Sequence, residues 1–325
     1  MAPLGIGLIG LGRHGMRYVR HLSDPSLDTR LVAVCRRDAE QGRAVASRHG
    51  VKFFHDYEDL IACPQVDAVV IVTPPSLCLP ICLATVKAGK PLLIEKPLAC
   101  TGADARTMVR AANAAGVPLM TAHTLRFDRA VATLKLQLAA AGSRRYLVLT
   151  NRVEPRPDVL RDPEDYGGRG VLLEIGIHLL DLVRFLTGEE VAEVRCELER
   201  PSPDAAELRA LVSLRTTGGL PCIVDVSRMT GGRVSRAEWI GAAGQLSADW
   251  VHHRVRMVSA GSVAREQAVE DAPTVEAVLR AFCGALMQGM PMPVTGVDGQ
   301  RAVEIADACY RSAGTGGAVV PVTRV

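Results

Sequence analysis

The first part of the chain alternates short apolar runs with segments of helical periodicity, and this alternation restricts the fold more than any other feature. Segments such as Ala39–His49 and Leu77–Ala88 carry apolar residues three and four positions apart. The apolar runs around them are Ile6–Leu11, Arg30–Cys35, Ala68–Val72, Leu92–Glu95 and Pro118–Ala122. Parallel strands need crossover connections, which are usually helices. We therefore predict a doubly wound α/β domain over residues 1–123.

After about residue 143 the pattern changes to strands that follow one another, with glycines such as Gly218-Gly219 at turn positions. The runs with strand character are Tyr146–Arg152, Val191–Leu198, Leu208–Arg215, Pro221–Ser227, Ala237–Ile240 and Arg254–Val258. Amphipathic helices are predicted at Val171–Leu186, Val275–Met287 and Val297–Tyr310. We predict that residues 124–325 form an α+β domain built on an open antiparallel sheet, with helices on one face.

Composition and charge exclude several classes of protein. The chain has 325 residues, 48% of them apolar, which suffices for the packed cores of about two domains. The net charge is only +3 and the arginines are scattered among carboxylates, so charge predicts neither a nucleic-acid nor a membrane partner. No run of 18 apolar residues is present to span a bilayer. The amino terminus lacks the basic region of a signal peptide, so we predict a cytoplasmic protein.

The cysteines and histidines give no metal or disulfide pattern. The nine cysteines form no C-x-x-C pair, and most lie within apolar runs. Such residues are typical of reduced, buried thiols that pack as small hydrophobic groups. No spacing of histidine and cysteine resembles a zinc site, so no metal is predicted.

A glycine motif of the form G-x-G-x-x-G runs from Gly10 to Gly15, directly after an apolar run and before a helical segment. Between a strand and a helix, each glycine has its own role. Gly10 permits the tight turn, Gly12 lets a diphosphate approach the backbone, and Gly15 lets helix and strand pack closely. Free amide groups at the start of the helix then bind the diphosphate. Arg13 and His14 lie inside the motif and are predicted to contact the same dinucleotide.

The residues after the next apolar run bear on the choice of dinucleotide. An acidic residue at this distance from the glycine motif accepts a hydrogen bond from the 2′-hydroxyl of an NAD ribose. Here Arg36 stands at that position, with Arg37 beside it. Guanidinium groups bind a 2′-phosphate and cannot accept a hydrogen bond from a hydroxyl. We therefore predict NADP(H) in preference to NAD(H), while Asp38, further along, keeps this a preference and not a strict requirement.

Glu95-Lys96-Pro97 follows the apolar run Leu92–Ile94, at the carboxyl end of a predicted strand, where open α/β sheets bind ligands. Desolvation of an amine in such a place lowers its pKa toward useful proton chemistry. Pro97 ends the strand and stiffens the turn that holds Lys96. The same residues are equally consistent with a solvated surface lysine beside a glutamate.

A third group of polar residues occupies the helical segment from Glu174 to Asp181. Spacings of four and three residues place Glu174, His178 and Asp181 along one stripe of a helix that otherwise carries leucines. A neutral histidine is a common general base, and a carboxylate one turn away can hold its tautomer. We interpret the stripe as lining a cleft; a histidine satisfied within a core is the alternative.

In this order, these motifs resemble the Gfo/Idh/MocA family, the group of glucose–fructose oxidoreductase and inositol dehydrogenase. Thr73-Pro74, Ala88-Gly89-Lys90 and Arg126-Phe127 match as well, so the resemblance covers nearly the whole chain. It implies a Rossmann domain, an α/β domain that commonly dimerises through its sheet, and an NAD(P)-dependent oxidoreductase of sugars, polyols or related carbonyl compounds. A homodimer or homotetramer is therefore expected.

The resemblance also implies roles for single residues. Lys96 orients the reacting oxygen, His178 exchanges its proton, and Glu174 lies in the same pocket. Cofactor contacts are predicted for Thr73, Pro74, Glu95 and Lys96, and substrate contacts for Thr124, Arg126 and Asp181. Tyr166 is a further candidate for substrate contact, which comes from the loop described below and not from the resemblance.

Three positions depart from the family pattern. Position 174 is Glu where the family usually has Asp, and Thr124 stands where it usually has Asn. After Thr73-Pro74 the chain reads Pro75-Ser76-Leu77-Cys78 in place of Asn-x-x-His. The contacts of the cofactor ribose and of the substrate are therefore expected to differ from those of the family.

The segment Arg152–Arg169 leads into the helix of His178 and is rich in proline, glycine and arginine. It is either an exposed loop or a lid whose Arg156, Arg161 or Tyr166 contacts the substrate. Two functions stay open beside a sugar or polyol dehydrogenase. One is a reductase of a non-sugar substrate, as in relatives resembling dihydrodiol dehydrogenase or biliverdin reductase. The other is a catalytically silent regulator that senses the dinucleotide.

Overall fold

The computed structural model describes residues 3–24, 26–27, 29–155, 163–259 and 261–323. Contacts among them define two compact units. The first comprises the described residues up to His123 and the segment Pro273–Gln300, and the second comprises those of Thr124–Ala272 and from Arg301 onward. The predicted domains were residues 1–123 and 124–325, so the segment 273–300 was placed in the second domain. In the structure it belongs to the first unit, because its helix Thr274–Gln288 packs against the helix Gly15–Leu22.

The first unit is built on six parallel strands: β1 Leu4–Ile9, β2 Thr29–Cys35, β3 Lys52–Phe54, β4 Ala68–Ile71, β5 Leu92–Glu95 and β6 Leu119–Ala122. Their order in the sheet is β3-β2-β1-β4-β5-β6, so the direction of winding reverses between β1 and β4. Strands β4 and β5 are wholly buried, as expected of strands covered on both faces. The predicted doubly wound parallel sheet is confirmed. Strand β3 was missed because it is short and partly exposed.

Helices α1 Gly15–Leu22, α2 Ala39–His49, α3 Tyr57–Ala62, α4 Cys78–Lys87 and α5 Gly102–Ala115 belong to the first unit. Local sequence explains how they begin and end. The side chains of Asp38 and Thr101 accept hydrogen bonds from backbone amides in the first turns of α2 and α5. Gly50 and Gly116 end these two helices in the left-handed conformation, each with a φ of 64°.

The sheet of the second unit contains β7 Arg144–Arg152, β8 Val191–Glu199, β9 Arg209–Thr216, β10 Pro221–Ser227, β11 Val234–Gly241, β12 Gly244–Asp249, β13 Arg254–Ser259, β14 Arg265–Ala268 and β15 Val320–Pro321. Their order is β14-β13-β12-β11-β7-β10-β9-β8-β15. Among the described strands, β7 and β10 pair in parallel and the other pairs are antiparallel. The predicted open antiparallel sheet is confirmed as a mostly antiparallel one, with the parallel pair β7 and β10 as a detail that the sequence did not indicate. A helix between β7 and β8 returns the chain, so that β10 arrives in the direction of β7.

The remaining helices are α6 Arg129–Gln137, α7 Ile177–Thr187, α8 Thr274–Gln288 and α9 Gly296–Gly314. The predicted single helix Val171–Leu186 is wrong in one respect, because a π-turn over Leu172–Gly176 precedes α7. The wider turn changes the angular relation of residues on either side of it, and π-turns are frequent at functional sites. Within the described part of the chain, no helix has the length and apolar content needed to cross a membrane.

Candidate functional site

The glycine motif forms the turn between β1 and α1, and each of its three glycines has a different surrounding. Gly10 has a φ of 99°, and a Cβ there would lie 2.3 Å from the carbonyl oxygen of Val72. A Cβ on Gly15 would lie 2.0 Å from the carbonyl oxygen of Gly10, whereas one on Gly12 would meet no protein atom within 4 Å. Packing therefore requires glycine at positions 10 and 15, and the open space at Gly12 fits the close approach of a diphosphate.

A cavity of about 500 Å³ lies beside this turn, at the carboxyl ends of the strands. Its size is typical of a small-molecule site. Its lining includes predicted cofactor contacts, namely Gly10, Gly12, Arg36, Arg37, Thr73 and Pro74. Apolar side chains of Leu77, Pro80 and Ile81 add a wall that can pack against a flat base, and His55, Asp56 and Tyr57 add polar groups that sequence reasoning missed. Arg13 is exposed at the turn itself. The residues present therefore fit a dinucleotide.

The three charged residues after β2 differ in their exposure and in their hydrogen-bond partners. Arg36 is half-buried and donates from Nη1 to the carbonyl oxygen of Leu11 in the glycine turn, at 2.5 Å. Arg37 is exposed at the cavity wall. Asp38 is occupied by the start of α2, where its Oδ1 accepts from the backbone N–H of Gln41 at 3.0 Å and its Oδ2 from Gln41 Nε2 at 2.5 Å. All three residues line the cavity, and the Asp38 carboxylate already accepts two hydrogen bonds from Gln41.

Glu95 ends β5 and is 6% exposed. Its Oε1 accepts from the Tyr18 hydroxyl at 2.5 Å and is hydrogen-bonded to His14 Nε2 at 2.7 Å. Its Oε2 accepts from the backbone N–H of Lys96 at 3.1 Å. Tyr18 is fully buried on α1, and the side chain of His14, just before that helix, is 42% exposed. The carboxylate therefore joins the helix of the glycine motif to the strand end that carries Lys96.

The neighbours of Glu95 favour its ionised form. Burial alone raises the pKa of this carboxyl, but the hydrogen bond and charge of His14, the charge of Lys96 and the Tyr18 hydroxyl together hold the pKa below its ordinary value. Burial and the adjacent carboxylate raise the pKa of Tyr18 well above its ordinary value. A neutral phenol therefore donates to an ionised carboxylate.

Lys96 is half-buried directly after β5, and its peptide bond to Pro97 is cis. The Thr73–Pro74 loop follows β4, the neighbouring strand, and Cys78 packs beneath it. The Sγ of Cys78 lies 3.6 Å from both Thr73 Oγ1 and the carbonyl oxygen of Pro74. Burial raises the pKa of the Cys78 thiol to about 12. The thiol is therefore neutral and supports the loop without acting as a nucleophile.

The cysteine thiols are mostly buried and are not joined in disulfides. None of the nine cysteines forms a disulfide, and the predicted burial is confirmed for all but Cys100, which is half-buried. Among the described residues, no group of three or more His, Cys, Asp or Glu side chains is arranged to hold a metal ion.

In the second unit, Glu174 lies within the π-turn and His178 in the first turn of α7. Glu174 Oε1 accepts from Arg228 Nη2 at 2.6 Å, and the two side chains are 14% and 18% exposed. Arg228 directly follows β10, so the pair joins the π-turn to the sheet. His178 is half-buried. The sequence pattern placed both side chains correctly on this segment but did not indicate the arginine.

Asp181, the third member of the predicted stripe, is 1% exposed and forms a bidentate ion pair with Arg126. Arg126 Nε lies 2.8 Å from Oδ2, and Nη2 lies 2.6 Å from Oδ1. The guanidinium also lies over the ring of Phe185, 5.3 Å from its centroid. Thr124 begins the short 3-10 turn that carries Arg126 and is half-buried. The ion pair holds α7 to that turn, and the substrate contacts assigned to these residues stay a prediction.

Glu207, which sequence reasoning missed, holds the start of the π-turn. Its carboxylate is buried and accepts from the backbone N–H groups of Gly170 at 2.9 Å and Leu172 at 3.1 Å. It also accepts from the hydroxyl of Tyr310 at 2.7 Å. The start of a helix leaves such N–H groups without intrahelical partners, and a negative charge is stabilising there. Glu207 thus fixes the segment that carries Glu174 and His178.

The loop that leads to the π-turn is described in part. Arg156 and Arg161 lie outside the described residues. Tyr166 ends a 3-10 turn, Pro163–Tyr166, and is half-buried. Arg169 donates to Asp307 at 2.6 Å and lies over the ring of Tyr310, 4.6 Å from its centroid. The end of the loop is therefore anchored, and the substrate contact of Tyr166 stays a prediction.

A parallel sheet wound in both directions, a glycine turn of this geometry and a cavity at the strand ends are typical of a dinucleotide-binding domain. Residues 4–123 match the family model described as "Oxidoreductase family, NAD-binding Rossmann fold", and residues 146–247 match the "GFO/IDH/MocA C-terminal domain". The chain belongs to the Gfo/Idh/MocA family, which confirms the resemblance drawn from its motifs.

Relatives along nearly the whole chain have dehydrogenase names. Inositol 2-dehydrogenase 1 of Saccharopolyspora erythraea is 33% identical, over 94% of this chain and 93% of that protein. Inositol 2-dehydrogenase 2 of the same organism is 30% identical, over 96% of this chain and 94% of that protein. Among solved structures, an oxidoreductase domain protein from Kribbella flavida has a TM-score of 0.90 at 26% identity and covers 100% of both chains. These similarities confirm an enzyme of the dehydrogenase and reductase class.

Proposed function

We propose that the protein is an NAD(P)-dependent dehydrogenase that transfers a hydride between nicotinamide and a hydroxyl-bearing carbon of a sugar or polyol. The observation that carries the proposal is the combination, within one unit, of a glycine turn open at Gly12 and a half-buried Lys96 at the end of β5. The two inositol dehydrogenases, similar over nearly their whole lengths, support a polyol as the substrate class.

Lys96 and His178 have separate tasks in this proposal. When bound, the nicotinamide accepts or supplies the hydride. The ammonium group of Lys96 donates a hydrogen bond to the substrate oxygen and stabilises the negative charge that develops as its proton leaves. The imidazole of His178 accepts that proton when an alcohol is oxidised and returns it when a carbonyl is reduced. The alcohol thereby loses one proton and one hydride and becomes a carbonyl.

Glu174 is assigned to the same pocket as a hydrogen-bond acceptor. Its Oε1 accepts from Arg228 Nη2 at 2.6 Å, and the carboxylate oxygens have further lone pairs for other donors. Such a group either holds a substrate hydroxyl or fixes the tautomer of His178. The extra methylene relative to aspartate lets the carboxylate reach Arg228, and we assign the altered substrate contacts of this chain to that pair.

We also propose that NADP(H) is preferred over NAD(H). Arg36 and Arg37 line the cavity at the end of β2, where the ribose of the dinucleotide is expected. Asp38, the acid that would favour a 2′-hydroxyl, already accepts two hydrogen bonds from Gln41. A 2′-phosphate therefore meets two arginine side chains at this wall, and this pair of donors supports the preference.

The substitution Arg36→Asp is expected to weaken NADPH binding by about 10- to 100-fold, the loss of one or two charge-assisted hydrogen bonds, while NADH binding changes less. Dissociation constants are measured by titrating nicotinamide fluorescence. Arg110→Asp, an equal charge change at an exposed position on α5, is the matched control and leaves both constants unchanged. A wild-type protein that binds NADH more tightly than NADPH would contradict the assignment.

Alanine substitutions at Gly12 and Gly15 separate binding from packing. Gly15→Ala forces a Cβ against the carbonyl oxygen of Gly10 and is expected to lower the free energy of unfolding by about 1–3 kcal/mol. Gly12→Ala meets no protein atom, so stability changes by less than about 0.5 kcal/mol while NADPH binding weakens at least tenfold. Far-UV circular dichroism in urea measures the first effect and fluorescence titration the second. Equal loss of stability in both variants would argue against the open space as a diphosphate site.

A panel of inositols, aldoses and their oxidised forms, assayed by nicotinamide absorbance in both directions, tests the substrate class. Turnover of a polyol or sugar with either dinucleotide supports the proposal. Turnover limited to non-sugar carbonyl compounds would support the alternative reductase. Dinucleotide binding without turnover of any compound would support the regulator.

A homodimer or homotetramer, formed through the sheet of the second unit, and a cytoplasmic location belong to the same proposal. Side chains of both charges, among them Arg236, Glu238, Arg254 and Glu266, share one face of β11–β14, and such a face can pair with its own copy. Nine cysteines without a disulfide, eight of them buried, support a reducing compartment. Light scattering of the purified protein measures the oligomeric state.

A further inference from the structure

The proposed reaction does not use Glu95 as an acid or a base, yet its buried carboxylate holds three hydrogen bonds. An ionised group in such a place is costly unless donors compensate for lost water. The donors come from two elements that are not neighbours, because β4 lies between β1, which leads into α1, and β5. The carboxylate therefore links α1 directly to the end of β5, whereas the backbone hydrogen bonds of the sheet connect β1 to β5 only through β4.

The two carboxylate oxygens of Glu95 bind different parts of the molecule. Oε1 is hydrogen-bonded to His14 and Tyr18 at the helix of the glycine motif, and Oε2 accepts from the backbone N–H of Lys96. The rings of His14 and Tyr18 are in edge contact, with centroids 5.6 Å apart and planes at 79°, so each restricts the other. A shift of α1 or a rotation of the carboxylate therefore changes the hydrogen bond at Lys96.

We propose that Glu95 is a positioning residue which, with Tyr18 and His14, sets the backbone of Lys96 according to the position of the glycine-motif helix. The inference rests on the proposed function, since it concerns the task assigned to Lys96. The amide groups at the start of α1 are those that bind a diphosphate. The bridge therefore joins the helix that begins at the diphosphate site to the strand end that carries Lys96.

A double-mutant cycle between Tyr18 and Lys96 tests the inference. Tyr18→Phe removes one hydroxyl and keeps the buried ring, so the fold is retained. We expect it to lower kcat by about tenfold, with the KM of the substrate within about threefold of wild type, because misplacement of a reacting group affects the chemical step. In the Lys96→Ala background, Tyr18→Phe has no further effect on kcat, since the group that it positions is gone.

Binding gives a readout that does not depend on turnover. The Tyr18 hydroxyl does not line the cavity, so the dissociation constant of NADPH changes less than about threefold in Tyr18→Phe, as followed by nicotinamide fluorescence. Glu95→Gln removes the charge but keeps an acceptor for Lys96, and we expect a kcat loss of about 10- to 100-fold. Tyr146→Phe, at an exposed tyrosine of β7, is the matched control and retains wild-type kcat.

The results separate this inference from the proposed function. If the reductions in kcat caused by Tyr18→Phe and Lys96→Ala multiply in the double variant, the inference is overturned. A Tyr18→Phe protein that loses thermal stability but keeps its kcat would overturn it as well. A kcat loss explained by weaker NADPH binding would also overturn it. If Lys96→Ala itself leaves kcat unchanged, the proposed catalytic role fails first and the inference with it. Should Glu95→Gln fail to fold, the Tyr18 cycle alone decides.

Discussion

The substitution His178→Ala is expected to lower kcat by about 10²- to 10⁴-fold while the dissociation constant of NADPH stays unchanged, because the substrate loses its proton acceptor. The backbone around His178 keeps its supports in this variant. Glu207 holds the amides of Gly170 and Leu172, and Asp181 ties α7 to Arg126. Steady-state kinetics with the best compound of the substrate panel measures the loss. Added imidazole is expected to restore part of the activity, which a damaged fold would not show.

His252→Ala is the matched control for this experiment. Its side chain is 64% exposed and pairs with Asp249 at the surface, where an ion pair is worth little. Its kcat is expected within about twofold of wild type. Lys96→Ala is expected to resemble His178→Ala in kcat. Unchanged turnover in both Lys96→Ala and His178→Ala would contradict the proposed catalytic pair.

The substitution Asp181→Ala is expected to lower the free energy of unfolding of the second unit by about 3–5 kcal/mol, because it leaves the charge of Arg126 buried without its carboxylate. The side chain of Arg126 is only 11% exposed, so water compensates poorly for the lost carboxylate. Trp239 and Trp250, the two tryptophans of the chain, both lie in the second unit. Tryptophan fluorescence in urea therefore reports the unfolding of that unit.

Glu270→Ala removes a carboxylate from an exposed pair with Arg129 and serves as the control, with an expected loss below about 1 kcal/mol. The experiment also decides the role of Asp181, which the resemblance to the family places at the substrate. An Asp181→Ala protein of wild-type stability with a raised KM would favour substrate contact and contradict a structural role. A large loss of stability would assign the carboxylate to the anchoring of α7.

Local sequence patterns predicted the first unit well. Its strands are buried on both faces, so they appear in the sequence as continuous apolar runs, and the helices between them retain a clear periodicity. The glycine motif was equally readable, because steric exclusion of a Cβ depends on the adjacent backbone, as at Gly10 and Gly15. Strand β3 was missed because a short, partly exposed strand carries little of this signal.

The second unit was predicted less completely. The parallel pairing of β7 with β10 depends on how many times the chain reverses between them, which alternation of apolar residues does not encode. The π-turn before α7 was also missed, since Leu172–Gly176 carries the residues of an ordinary helix. It coincides with Glu174, which pairs across the fold with Arg228.

The sequence by itself determined the class of fold, the place of the glycine turn and the residue types that can bind a dinucleotide and move a proton, because these depend on neighbours along the chain. Only the tertiary structure decided which groups hold them. Tyr18 meets a carboxylate 77 residues away, Arg228 one 54 residues away, and Glu207 caps a turn 37 residues before it. Such partners are selected by the packing of whole elements, and contacts at that separation leave no period or spacing in the sequence.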